Sequence, residues 1–508
     1  MLQLILGRAG SGKTYRIREQ VKQLAEQNTE KIMLLVPEQY SFESEKAMLK
    51  LLGPKQVNKV QVMSFTRLTD MAFRSYGGSG IAKLDDGGRN IFMSLALEEV
   101  KEELEFYVTR VEELIPFMLS MSAELKMCAI APAVLLETTQ QTEDKKLKQK
   151  LKEVGMILSA YDALVAQSYL DPLDDLQRLK HTFTEHRFFE GYHIYIDSFE
   201  GFTQQEFDLI ELMLSQASEV TVSLSCDTLD NQIGAEVFAR VRHTANVLMR
   251  MARQHHVQVS APIVLEPGIR FATEDLKHLE HQIFRVEKEP LSNVSDAITL
   301  YSGETVYNEA AYIGATIRHL VINEGYQYQD FAIIARSLDH YRGILDVTLE
   351  QYEVPYFMDT PRSVYAEPLM CLVLYALQIL KSNFSSDDMF VYLKTGLAGL
   401  TPYEISLLEN YTFLWNLSGK KWLKEWTANV DGFVEQQTEQ QEKRLEELNQ
   451  LRERAVKPLV HLQKRLKDGD GLAYAKALYQ FLEELDVSSS LQNLSNQLEQ
   501  MGRLDTAE

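Results

Sequence analysis

The sequence predicts an α/β fold organised in two lobes with large helical insertions. Three observations predict it. Short apolar runs alternate with helix-periodic segments over residues 1–76, the alternation returns near residue 192, and it returns again near residue 297. Strands separated by helices are the pattern of a parallel sheet, because parallel neighbours need a long crossover.

Taken in order, Leu2–Leu6 reads as a buried strand, and Ile17, Val21 and Leu24 recur at helical spacing from about Lys13 to Ala25. "KIMLLVP" (31–37) is a second apolar strand closed by Pro37, and "KVQVM" (59–63) alternates before the helical "SFTRLTDMAF". "YGGSG" (76–80) breaks the pattern, and residues from about 90 to 179 are helix-like with charge-rich faces. Strands resume at "YHIYID" (192–197) and "EVTVSLSCD" (219–227), and a polar stretch at about 280–296 reads as a linker. A further unit follows: "AITLYSG" (297–303), a helix over 308–323, "FAIIAR" (331–336), a helix over 338–352 and "VPYFMD" (354–359). Past Pro361 the chain is helical, with a long charged segment at 435–456 that Pro458 is expected to interrupt. The expected domains are a first lobe (1–76 and 175–290), a helical insertion in it (77–174), the start of a second lobe (291–360) and a helical region (361–508).

Composition narrows the class. The three cysteines, Cys128, Cys226 and Cys371, are scattered without a CxxC pair, which excludes a disulfide framework and a zinc ribbon and suits a cytoplasmic location. The eleven histidines show no HxxxH or HExxH pairing, and no apolar run reaches the length of a membrane span. A formal net charge of −21 argues against nucleic acid as a partner of the whole surface. Yet residues 1–76 hold 12 Lys and Arg against 7 Asp and Glu, while the remainder holds 40 against 66. A basic N-terminal segment suits phosphate binding, although an excess of that size also arises without function.

The strongest motif is "GRAGSGKT" at residues 7–14, which satisfies GxxxxGK[ST] between a strand and an amphipathic helix. Gly7, Arg8, Ala9, Gly10, Ser11 and Gly12 form a loop whose N–H groups converge on phosphate oxygens. Lys13 reaches the terminal phosphates, and the Thr14 hydroxyl is placed for Mg²⁺, so ATP with Mg²⁺ is the expected ligand. Such a loop needs an acidic partner at the end of a later strand, and Asp197 closes "HIYID". Asp197 therefore reads as holding the metal through water. In hydrolysing ATPases a glutamate commonly follows this aspartate and polarises the attacking water. Here Ser198 stands in its place, so no catalytic base is assigned, and Glu200 substitutes only if the turn brings it round.

Together, "ILGRAGSGKT", "LLVPEQYSFESEKAML", "VQVMSFTRL", "YIDSFEGFTQQE" and residues 309–359 resemble the AddB/RexB subunit of the bacterial AddAB (RexAB) helicase–nuclease over essentially the whole chain. The resemblance implies two RecA-like P-loop NTPase lobes of the superfamily 1 helicase kind. "IDSFEGFT" matches the superfamily's DEAQDFT motif with Ser198 for Glu, and the glutamine-rich nucleotide-sensing motif is not recognisable after Cys226–Asp227. It further implies a subunit that binds ATP and pairs with an AddA/RexA-like helicase–nuclease. Such a subunit scans single-stranded DNA for a recombination hotspot (Chi), and the complex processes double-strand breaks. The family's C-terminal nuclease domain and its iron–sulfur cluster have no counterpart in these residues, so the chain is expected to be an N-terminal fragment of a longer protein.

Loops after the second and third strands of such lobes meet single-stranded DNA, which nominates Gln39, Ser64, Phe65 and Arg67. Phe65 either stacks on a base or packs beneath its own helix. Glu38 would repel phosphate unless paired, and Arg336 either faces nucleotide or DNA or is an ordinary surface cation. Three rivals stay open: a competent superfamily 1 helicase, a small-molecule P-loop kinase, and a scaffold whose P-loop is a relic.

Overall fold

The computed structural model describes residues 1–502 except positions 28, 30, 79, 108–110, 230–235, 267, 284–287, 293–295, 359–363, 434–437 and 468. The chain divides into two compact units, Met1–Tyr301 and Ser302–Glu508.

The first unit is built on β1 (Leu2–Leu6), α1 (Lys13–Glu26), β2 (Ile32–Leu35), α2 (Glu38–Gln56), β3 (Val60–Met63) and α3 (Phe65–Tyr76). Five helices follow: α4 (Asp86–Val100), α5 (Val111–Met127), α6 (Pro132–Thr138), α7 (Lys145–Val165) and α8 (Asp175–His186). The unit ends with β4 (His193–Ile196), α9 (Gln204–Gln216), β5 (Glu219–Leu224), α10 (Ala239–Gln254), β6 (Ile263–Val264) and α11 (Glu274–Gln282). All six strands join one sheet in the order β3-β2-β4-β5-β1-β6, and every pairing is parallel. Helices cover both faces, so the strands are apolar on both sides rather than alternating with polar residues. Leu2, Leu4, Leu6, Ile194 and Val222 pack with α3, α8, α9 and α10 on one face. Ile5, Ile32, Leu34 and Tyr195 meet Ile17 and Val21 of α1 and Met48 of α2 on the other.

Helices α4 to α7 form a satellite core around Met93, Leu97, Ile157 and Tyr161. Its seam with the turn that leads into α8 is ionic. The Lys126 Nζ of α5 lies 2.7 Å from Asp174, 3.0 Å from Asp171 and 3.3 Å from Asp162, and Tyr161 donates to Asp171 at 3.2 Å. Burial opposes the charge on Lys126, but the three carboxylates outweigh it and raise its pKa above the lysine range.

The second unit contains α12 (Val306–Glu324) and α13 (Leu345–Gln351), then α14 (Pro368–Lys381), α15 (Ser386–Leu393), α16 (Pro402–Leu414), α17 (Glu439–Arg465), α18 (Gly471–Glu484) and α19 (Val487–Gln500). Trp422, Tyr392, Phe384 and Phe481 centre the core of the later helices. Two expectations are corrected here. Helix α17 runs through Pro458 unbroken, because Pro458 is buried with Ala455, Val456, Leu459 and Leu462 in that core, and packing holds the helix where one backbone bond is missing. The strands expected at 297–303, 331–336 and 354–359 are absent among the described residues (Asp359 lies outside them), because a ladder needs an adjacent strand and none is placed beside them. Leu300, Ile334 and Phe357 accordingly stay 97%, 93% and 91% exposed. The helices expected at 308–323 and 338–352 are present as α12 and, in shorter form, α13.

Lys126→Met leaves three carboxylates facing one another at a half-buried seam. It should cost about 3–5 kcal/mol of stability, read as a lower denaturation midpoint in urea, because breaking a buried pair strands its partners.

Candidate nucleotide-phosphate site

The site lies at the carboxyl edge of the sheet, where loops leave β1, β4 and β5. The loop after β1 needs its glycines. Gly10 and Gly12 sit at φ +72° and +87°, in the left-handed region, and a Cβ at Gly7 would overlap Ser11 Oγ. Gly12 serves as the N-cap of α1 with no side-chain cap, and the first turn carries no acidic residue, so the positive end of the helix dipole is unopposed. Ser11 is 1% exposed and its Oγ has no hydrogen-bond partner among the described residues, a buried polar atom left for a ligand. Lys13 Nζ donates back to Gly7 O at 2.8 Å and Arg8 O at 3.1 Å. Burial holds its pKa below the ordinary lysine range, partly offset by the Asp197 charge. Ala9 is exposed in the loop and Thr14 is half-buried in the first turn of α1.

β5 lies between β1 and β4, so Asp197 emerges across one strand from the phosphate loop. It is 3% exposed, and it accepts a hydrogen bond from Ser223 Oγ of β5. The two residues after it turn outward. Ser198 is exposed at φ +67° and Glu200 is exposed as well. Phe199, between them, packs edge-on against Phe65 with ring centroids 5.8 Å apart, and also against Phe202 at 5.0 Å. Lys13, Asp197 and Cys226 are close enough to influence one another electrostatically. Burial and the neighbouring Asp227 carboxylate push the Cys226 thiol up to about 11, which makes it a packing residue rather than a nucleophile at neutral pH. Positions 230–235, which follow the expected place of the nucleotide-sensing motif, lie outside the described residues. Among the described residues no group of three or more His, Cys, Asp or Glu is placed to hold a metal ion by itself. A Mg²⁺ here would rest on Thr14, Asp197 and the phosphates together, a sparse protein donor set of the kind that suits Mg²⁺.

The structure adds a feature that spacing could not reveal. The chain after β6 crosses the phosphate loop: Leu265 lies against Gly7, Arg270 and Phe271 against Gly10, and Ile269 against Gly12. Arg270 N donates to Gly10 O at 3.1 Å. Arg8, only 6% exposed, reaches α11, where its Nε meets Glu280 Oε1 at 2.9 Å and its other nitrogens reach Glu280 O and, at 3.6 Å, Asp227. Its guanidinium also stands 5.3 Å from the Phe238 ring. The stretch expected to begin a linker at residue 280 therefore starts inside α11 with a bound carboxylate; positions 284–287 and 293–295 lie outside the described residues.

The residues nominated for DNA sit on the turns after β2 and β3. Gln39 is exposed at the start of α2. Ser64, 2% exposed, caps α3 by accepting from Arg67 N at 3.1 Å and donates to Glu38, which gives Glu38 its partner. Arg67 is half-buried and pairs with Glu45. Phe65 is 7% exposed and packs beneath its helix against Phe199. Arg336 is exposed in the second unit.

Arg8→Ala leaves Glu280 without its cation and loosens α11 from the phosphate loop. Stability of the first unit should fall by about 3 kcal/mol in urea unfolding, with faster proteolysis within residues 265–282.

Residues 4–280 match the family model described as ADDB, N-terminal. The chain is also similar to three proteins named as subunits of an ATP-dependent helicase/deoxyribonuclease. It is 30% identical to that of Clostridium kluyveri over 100% of this chain and 45% of the relative. Identity is 29% to that of Clostridium acetobutylicum (99% and 44%) and 29% to that of Clostridioides difficile (100% and 45%). The chain thus spans under half the length of these relatives. With that match across more than half of its residues, the chain belongs to the AddB family.

Proposed function

We propose that this chain is the ATP-binding, helicase-like portion of an AddB-type subunit, and that it holds nucleotide without turning it over. One arrangement carries the reading. A glycine cradle with a desolvated lysine faces a buried aspartate one strand away, and the next residue is an exposed serine. The cradle and Asp197 suit a triphosphate with Mg²⁺, with Gly7 to Thr14 around the phosphates and Asp197 on the metal's water shell. Ser198 has no group that ionises near neutral pH to take a proton from water, and Glu200 is directed to solvent by the same turn.

The chain's place in a complex follows from the relatives' names. We assign it to a heterodimer with a helicase–nuclease partner of the AddA/RexA kind, acting on DNA ends in break repair and contributing hotspot recognition. Nuclease activity and an iron–sulfur cluster belong to parts of the parent protein outside these residues. Gln39 and the turn carrying Ser64, Phe65 and Arg67 are the proposed single-strand contacts, with Gln39 and Arg67 offering the accessible polar atoms. The unpaired apolar stretches near Leu300, Ile334 and Phe357 support a second α/β lobe. Phe331, Ile333, Val354 and Phe357 line a cavity of about 680 Å³ that more strand would fill.

Thermal melting with and without Mg-ATP tests the binding claim. Ligand at 100-fold its Kd should stabilise the wild-type chain by about 2.7 kcal/mol and leave Lys13→Ala unmoved. No shift in the wild type would mark the loop as a relic, and an equal shift in the variant would place binding elsewhere.

A further inference from the structure

Helix α10 carries a basic face that the proposed nucleotide and single-strand sites do not use. Residues 237–265 contain four arginines and three histidines and no aspartate or glutamate, in a chain of net charge −21. Val241, Ala245, Leu248 and Ala252 turn inward to the main core. His243, Asn246, Arg250 and Arg253 are exposed and recur at helical spacing, so they form one stripe about 15 Å long, with Arg240 exposed at its shoulder.

These cations are free in a way that many of the protein's other arginines are not. Among the described residues Arg240, Arg250 and Arg253 make no ion pair, whereas Arg318 meets Glu353 at 2.8 Å, Arg342 meets Asp339 at 3.1 Å and Arg454 meets Glu404 at 2.7 Å. The stripe's acidic boundary is Glu211 of α9, already engaged by His255 at 2.9 Å. Arg250 and Arg253 stand one turn apart, where like charges repel and a shared polyanion relieves them.

We propose that this exposed face of α10 docks the phosphate backbone of duplex DNA. The proposal rests on the reading that the chain works on DNA, and it adds a second surface with a different strand form. The stripe carries no Tyr, Phe or Trp, so it lacks the stacking platform that single strands use. A row of arginines is instead suited to the fixed rows of phosphate on a duplex, which it grips by charge and bidentate hydrogen bonds regardless of sequence.

The test is a salt series of binding between the chain and a short fluorescent blunt duplex, repeated with the matching single strand. Arg250→Gln/Arg253→Gln should weaken duplex binding and make the slope of log K against log salt shallower by about 2, one unit per lost phosphate contact. Arg250→Lys/Arg253→Lys, which keeps both charges, should retain the wild-type slope. An unchanged duplex slope in the glutamine variant overturns the proposal, as does a loss confined to the single strand. So does loss of a protein partner with duplex binding intact. If the wild type binds neither strand form, the DNA reading itself falls and takes this surface with it. If Arg67→Ala weakens single-strand binding while the α10 variant leaves duplex binding untouched, only the α10 surface falls.

Discussion

Strand β5 is the pairing on which the site depends. It bonds to β1 from Leu2↔Val220 to Leu6↔Leu224 and to β4 from His193↔Glu219 to Ile196↔Val222. That double register brings the end of β1 and the end of β4 to the same edge, although the chain between them runs through β2, β3 and five helices of the insertion. Lys13 and Asp197 can act on one ligand only because of it. The same strand supplies Ser223, whose hydroxyl fixes the Asp197 carboxylate. A one-residue slip of β5 would turn its inward side chains to the other face and separate the two groups.

Around that edge the structure closes the phosphate loop from outside. The chain between β6 and α11 lies over Gly7, Gly10 and Gly12, and Arg8 ties the loop to Glu280. A side chain at any of the three glycines would meet this cover or the loop itself, so the glycines serve the packing as well as the phosphate. Behind Asp197, Phe199 leans on Phe65, which starts the helix whose cap is Ser64. A movement of the turn at Ser198 is thereby felt at the turn that carries Arg67. The site's chemistry is one of holding and transmitting, with no group placed to activate water.

Much of this was legible in the sequence where the physics is local. The phosphate loop, the helix behind it, the strand ending in Asp197 and the substitution at Ser198 are all written in short stretches. The Arg8–Glu280 pair was not legible, because its partners are far apart in sequence and each alone is an ordinary charged residue. Phe65 was open between two roles, and burial against Phe199 decided for packing. In the second unit, apolar runs at 297–303 and 331–336 have the composition of strands, yet composition records a preference for burial and cannot supply a neighbour. Pro458 erred the other way: a local helix breaker yields when its surroundings are a packed core. The α10 stripe was visible as residue types but had no meaning until burial sorted Arg242 inward and Arg250 and Arg253 outward.

The central claim is that nucleotide is held and not consumed, and steady-state ATP turnover with Mg²⁺ and single-stranded DNA, on protein first shown to bind ATP, tests it most directly. The account predicts that phosphate release from the wild type equals that from Asp197→Ala, both at background. Release from the wild type that Asp197→Ala abolishes would contradict it and would mean that another group does the work a glutamate at position 198 would do.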